Sequence, residues 1–215
     1  MIQFTNLSKI VNGQTILDLS DISIDAGEII AIVGPTDSGL DILLKLLLGK
    51  TSPSAGEITF DNLIPIVNQE ELEKKIGILF QEDGLYPYLT TENNLLFFAR
   101  LYGLANNRIF DMLKAIGLAD QSKTKVSQLP SGLARRLAFS RAILHEPTIL
   151  ILVHPFSRCD EDSINLIKHL IRQIAEQGKT ILILDEDAAN LEDLCARIYF
   201  LKGGRIDQIV ERNQP

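Results

Sequence analysis

The stretch from Glu28 to Gly49, EIIAIVGPTDSGLDILLKLLLG, leaves this chain few folds to choose from. The unbroken apolar run Ile29 to Val33 has the length and composition of a strand buried on both faces. A turn follows, Gly34-Pro35-Thr36-Asp37-Ser38-Gly39. Then comes a helix-patterned segment with Leu43, Leu44, Leu46, Leu47 and Leu48 set against Asp41 and Lys45. Strand, glycine-bounded turn and helix make the scaffold of a phosphate-cradling loop, G-x-x-x-x-G-K-[ST], in which backbone amides at a helix start hold an anion. Both glycines stand at the required spacing. Leu40, however, replaces the lysine and Asp41 replaces the hydroxyl residue.

The remaining chain supplies a core for this unit. Its 215 residues, 46% of them hydrophobic, suffice for one large α/β domain. A formal charge of −7 speaks against a broad nucleic-acid or anionic-membrane surface. Cys159 and Cys195 lie far apart and form no metal-ligand pattern, so both thiols are expected free in a reducing compartment. The N-terminus lacks the basic-then-apolar order of a leader, and no run approaches the ~18 apolar residues of a spanning helix. The expectation is a cytoplasmic protein, held at the inner face of a membrane only through another chain.

In chain order, 1–7 and 14–24 read as antiparallel strands joined at Asn12-Gly13. Strands are also expected at 57–60, 76–80, 148–153, 180–184, 198–201 and 205–210, with 70–75 a polar connection. Helical spacing covers 93–104, 109–116, 131–145, 160–177 and a short segment 188–195. Thr90 or Thr91 is the expected cap of the first of these and Asp160 opens the long one.

With these pieces placed, the chain resembles the nucleotide-binding domain of ABC transporters over nearly its whole length. The segment Gly84-Leu85-Tyr86-Pro87-Tyr88-Leu89-Thr90-Thr91-Glu92-Asn93 is similar to the stretch after the family's glutamine loop, here Gln81. Leu137 to Leu144 looks like the helix after its signature, which reads Leu129-Pro130-Ser131-Gly132-Leu133 in place of Leu-Ser-Gly-Gly-Gln. Pro155-Phe156-Ser157 with Asp160, and Lys202-Gly203-Gly204-Arg205-Ile206, match the turn after the second phosphate-site strand and the closing hairpin. The resemblance implies a P-loop NTPase fold of ABC type. That fold has a mainly parallel core sheet, an N-terminal antiparallel β subdomain beginning at 1–27 and an inserted helical subdomain at 82–146. All of it is expected in one domain, 1–215.

It also implies where the chemistry should lie, and there the residues depart from the pattern. Val153 and His154 occupy the Asp-Glu positions that hold magnesium and the attacking water, and Glu186, inside Asp185-Glu186-Asp187, occupies the switch histidine's place. Near Val11 no aromatic stands ready to stack on adenine. Gln81 is unaltered. Losing a charge-assisted hydrogen bond costs about 1.5–3 kcal/mol, and a facing unit charge at 4 Å adds about 4 kcal/mol at a surface-like dielectric. The loop Gly34–Asp41 is therefore expected to be vestigial, with no catalytic residue at His154 or Glu186, no metal and no cofactor beyond weak Mg-ATP. Asp41 and the acidic triplet are expected to form an acidic cavity.

Two functional readings result. The first is a non-hydrolysing regulatory or interaction module, similar to the ABC-like part that precedes a LytTR-type DNA-binding domain in some bacterial regulators; the polar end at 211–215 would then lead into a further domain. The alternative is the ATP-binding subunit of an exporter, docking a membrane subunit through residues 82–104. Either way a homodimer, or a heterodimer with another ABC-type domain, is implied by the resemblance. Direct nucleic-acid contact and membrane insertion are not.

Overall fold

A computed structural model of the chain describes residues 1–105 and 108–212; the polar end read at 211–215 lies partly outside them. The first half runs β1 (Ile2–Val11), β2 (Gln14–Leu19), β3 (Ile22–Ile24), β4 (Ile29–Val33), α1 (Leu40–Leu47), β5 (Ala55–Phe60), α2 (Gln69–Lys75) and β6 (Ile76–Leu79). The second runs α3 (Thr91–Leu101), α4 (Arg108–Ala115), α5 (Ser131–Ile143), β7 (Ile149–Val153), α6 (Glu161–Glu176), β8 (Thr180–Asp185), β9 (Arg197–Lys202) and β10 (Arg205–Glu211).

Two sheets result. β2 and β3 pair one after the other along one edge of β1, and β5 pairs antiparallel along the other. The core sheet has the order β10-β9-β4-β8-β7-β6, parallel throughout except for the closing hairpin β9–β10. β4 therefore lies inside the sheet with both faces covered, which is why its five residues are all buried and all apolar. Alternate side chains part to opposite faces. Ile30 and Ile32 join a cluster with Phe4, Leu17 and Leu43 under the antiparallel sheet. Ile29, Ala31 and Val33 face Ile167 and Ile171 of α6 and Phe139 of α5.

A third cluster gathers Leu95 and Ala99 of α3, Ile109 and Leu113 of α4, and Leu137 of α5. Helix α5 is buried from both sides: Leu137 packs among the helices, and Ala138, Phe139 and Ala142 pack on the sheet. It is the element that joins the helical part to the core.

Several local expectations need correction. Residues 14–24 are two strands, parted at Ser20-Asp21, where Asp21 Oδ1 accepts the Asn6 amide at 2.9 Å. The polar connection 70–75 is helix α2, carried by a Glu71–Lys75 pair at 2.9 Å with Leu72 its buried residue, so it shows no apolar period to read. The helix expected at 188–195 is a set of turns that return to Ala188 O and Leu191 O without continuing, although Leu191, Leu194 and Cys195 are buried as a helix face would be. Thr90 is the cap of α3, its Oγ1 accepting the Asn93 amide at 3.2 Å, and Asp160 caps α6 through Ser163 N–H at 2.8 Å.

Candidate functional site

The phosphate-type loop lies at the C-terminal end of β4. Gly34 N–H donates to Asp185 O at 3.0 Å, seating the loop against the end of β8, and Ser38 N–H closes onto Pro35 O at 2.8 Å. Gly39 adopts φ +101°, and a Cβ there would meet Ile16 O at 2.8 Å, so glycine is required on both counts. Leu43 N–H returns to Gly39 O, and the earlier amides of the first turn of α1 have no partner within the helix. Ser38 is 1% exposed and its Oγ is buried without a hydrogen-bond partner, lying beneath Gly34. The cradle is thus complete in its backbone. Thr36 and Asp37 are exposed, and Leu40, the first residue of α1, is partly buried against the core.

The charges around this loop differ from expectation. Asp41 is 64% exposed and turns to Lys45, 3.5 Å away, so much of its field is answered within the helix. It does not line the polar cavity next door, about 250 Å³, which is walled by Gln81, His154, Ser157, Glu186, Asp187 and Asn190 with Asp185 beneath. The acidic cavity expected to include Asp41 is corrected accordingly. Among the described residues no cluster of His, Cys, Asp and Glu has a metal-holding arrangement. Thr36 Oγ1 donates to Glu186 Oε1 at 3.0 Å, joining the loop to the acidic triplet across the sheet end.

His154 sits at the end of β7 with φ +47°, a left-handed conformation unusual for a residue with a side chain. Its Nδ1 lies 2.9 Å from Asp185 Oδ1, and that hydrogen bond raises its pKa above the ordinary histidine value against the opposing effect of burial. The two residues form a carboxylate–imidazole pair at the floor of the cavity.

The signature-like segment opens α5. Pro130 is the cap position, Ser131 Oγ donates to Arg158 O at 2.9 Å, and Leu133 packs among the helices beside Leu129. A Cβ on Gly132 would come within 2.7 Å of Ser163 Oγ, so this glycine is set by close packing on α6. None of Leu129 to Leu133 lines the polar cavity.

Sequence reading passed over Arg135. Its side chain is 0% exposed. It donates to Phe80 O, Gln81 O, Val153 O, His154 O, Pro155 O and Asp83 Oδ1, so one guanidinium gathers the ends of β6 and β7. Burial lowers its pKa, and the Asp83 hydrogen bond opposes that. The available signal was an arginine on the face of α5 that Ala138, Phe139 and Ala142 mark as buried. Both thiols are free; burial pushes Cys159 up to about 11 and Cys195 to about 12, which makes both poor nucleophiles.

A second opening, about 590 Å³, lies between the core sheet and α3, with Leu47, Ile78, Phe80, Leu101 and Tyr102 on its walls. Beside it Tyr86, Phe97 and Phe98 stack edge to face at 4.8 and 5.2 Å, and Tyr88 and Leu101 are left exposed.

The family model described as ABC transporter matches residues 17–157. The ABC transporter ATP-binding protein NatA of Bacillus subtilis is 30% identical over 209 residues, 95% of this chain and 84% of that protein. The Nod factor export ATP-binding protein I of Rhizobium etli is 30% identical, covering 95% of this chain and 66% of its own. A fluoroquinolones export ATP-binding protein of Mycobacterium tuberculosis is 33% identical over 186 residues, 86% of this chain and 62% of its own. Of solved structures, a dimeric ATP-binding cassette bound to ADP and Pi matches at TM-score 0.83 and 28% identity, covering 99% of this chain and 100% of the other. An ATP binding subunit of an ABC transporter matches at TM-score 0.87, covering 98% and 90%; at 22% identity it shows the fold alone. These names overturn the expectation of a regulatory module ahead of a DNA-binding domain: the relatives are ATP-binding proteins of transporters, two of them exporters.

Proposed function

The chain belongs to the ABC transporter family, and on that premise we propose that it is the ATP-binding subunit of an exporter. It acts as one half of a cassette dimer and is coupled to a separate membrane subunit. The carrying observation is the match to a dimeric cassette over 99% of this chain and the whole of the other. Relatives named as export ATP-binding proteins favour the exporter class. Residues 1–215 are read as one cassette whose helical part, 82–146, faces the membrane subunit. Among the described residues no helix is long and apolar enough to cross a membrane, so the reading assigns the pathway to the partner and places this chain at the cytoplasmic face.

Chemically, the loop from Gly34 to Asp41 offers an anion the unpaired first-turn amides of α1. Gln81 lines the same cavity as Glu186. No lysine or hydroxyl completes the set, so the backbone has the larger share of holding phosphate. His154 takes the place where a base would meet a water, with Asp185 orienting its ring.

Titration of the full chain with a fluorescent ATP analogue, with and without magnesium, and light scattering on the same samples test this reading. Saturable binding that unlabelled ATP displaces, with nucleotide-promoted dimers, is expected. Absence of displaceable binding at millimolar nucleotide, with the chain remaining monomeric, overturns it.

A further inference from the structure

We propose that the site holds a nucleoside diphosphate more tightly than a triphosphate, and that Glu186 sets this preference. The inference rests on the reading of the loop as a nucleotide site and specifies which phosphate chain it selects.

A bound phosphate chain meets two different environments here. The open backbone amides at the start of α1 suit the first two phosphates, which are held by N–H donors. A third phosphate extends past those amides, toward the position that the loop pattern fills with lysine and this chain fills with Leu40. What else stands there is decided by strand order. β8 pairs along one edge of β4, and Gly34 N–H donates to Asp185 O at 3.0 Å, so the segment after β8 lies against the loop. Glu186 is the side chain of that segment which touches the loop, its Oε1 accepting from Thr36 Oγ1 at 3.0 Å. Asp185 and Asp187 line the polar cavity together with it.

Of these three carboxylates, Asp185 has a basic partner, His154, at 2.9 Å. Among the described residues Glu186 and Asp187 have none within ion-pair distance, and no lysine or arginine lines the cavity. Lys202 ends β9, which pairs with the other edge of β4. The Thr36 hydroxyl holds the Glu186 carboxylate at the loop through a neutral donor and leaves its charge in place. A third phosphate therefore brings negative charge to where a carboxylate already stands and gains no cation in return. Asp37 and Asp41 sit on the loop and in the first turn of α1, so they oppose a phosphate chain of either length and lower affinity without choosing between the two. Glu186 and Thr36 are exposed, so water and salt screen the repulsion, and a factor of about ten in affinity is expected rather than the far larger one of a dry site.

The test is displacement of a fluorescent ADP analogue from the full chain by unlabelled ADP and ATP. A chelator is present, so that magnesium does not mask the added charge, and pH and ionic strength are held constant. ADP should displace the analogue at about tenfold lower concentration than ATP. Glu186→Gln keeps an acceptor for Thr36 and removes the charge. It should tighten ATP by about tenfold and ADP by about twofold or less, so that the gap closes. Asp41→Asn should shift both nucleotides by a similar factor and keep the gap. Melting curves confirm that each variant is folded. ATP bound as tightly as ADP by the unaltered chain, a gap that survives in Glu186→Gln, or a gap closed equally by Asp41→Asn overturns the proposal while leaving the nucleotide site in place. If the analogue is not bound, or neither nucleotide displaces it, the reading of the loop as a nucleotide site falls and the preference falls with it.

Discussion

Replacing Arg135 with methionine should be among the most damaging single changes available in this chain. The substitution keeps a long, flexible side chain of similar volume, so packing is largely spared and the hydrogen bonds are isolated. Those bonds are 2.7 Å to Phe80 O, 2.8 Å to Val153 O, 2.7 Å to His154 O, 3.2 Å to Pro155 O and 3.0 Å to Asp83. Each acceptor left unsatisfied in the interior costs about 1–3 kcal/mol. A plain sum overshoots, because removing the cation also removes its own desolvation penalty, and Asp83 keeps Arg158 at 3.0 Å. Breaking a buried charged contact from one side costs about 3–5 kcal/mol, and about 4 kcal/mol is expected here. Set against a typical total stability of about 5–15 kcal/mol, that is a large share. At ~3 °C per kcal/mol for a chain of this size, Tm should fall by about 12 °C. Urea titration followed by far-UV circular dichroism, alongside a thermal melt, measures it. Arg135→Lys, with a point charge in place of a fork, should fall between wild type and Arg135→Met. A loss below about 1 kcal/mol for Arg135→Met would mean that the strand ends do not depend on the guanidinium, and the clamp argument would be wrong.

Restoring a lysine by Leu40→Lys should tighten binding of a fluorescent ATP analogue by about 10- to 100-fold through one charge-assisted contact. Asp41→Ser alone should do less, because Asp41 is exposed and paired with Lys45; a larger gain from Asp41→Ser would show the ranking to be mistaken. Two half-buried histidines should act on stability in opposite directions with pH. The Asp185 bond raises His154 above the ordinary 6.5, so its stabilisation is full below that value and is lost as pH rises through the folded pKa. Burial lowers His145, so its penalty grows as pH falls from 6.5 through the folded pKa. Urea midpoints measured across pH should therefore climb more steeply with pH in His154→Gln and less steeply in His145→Gln. Gly56→Ala and Gly103→Ala separate clash from backbone strain. Both glycines have positive φ, +71° and +68°, but a Cβ on Gly56 would stand 2.2 Å from Thr5 O and Asn6 O, whereas Gly103 has nothing within 4 Å. Gly103→Ala should cost about 1 kcal/mol; Gly56→Ala should cost clearly more on the same urea curves and weaken the pairing of β1 with β5.

Much of the architecture can be read along the chain because burial repeats locally. Ile29–Val33, Ile149–Val153 and Ile181–Leu184 are unbroken apolar runs, and each lies in a strand covered on both faces. The Asp160 cap and the spacing of Ile167 and Ile171 give α6 in the same way. Helix α2 escaped because one buried leucine makes no period, and 188–195 misled because its buried residues fall at helical spacing without the bonds that continue a helix. The functional conclusion drawn from the altered loop residues failed for a different reason. Asp41 was assigned a field without its partner, and the names of relatives, not residue chemistry, carried the correction.

The site shows the limit most clearly. That Gly34 and Gly39 bound a cradle follows from their spacing, since a turn is a property of neighbouring residues. That Thr36 meets Glu186, that His154 meets Asp185, and that Arg135 gathers carbonyls from β6 and β7 does not. These partners are separated by many residues along the chain and become neighbours only when parallel strands stack their C-terminal ends side by side. Local pattern fixes which elements form, because hydrogen bonding and periodic burial act over a few residues. Which charges answer one another depends on strand order, and strand order is set by the packing of the whole core.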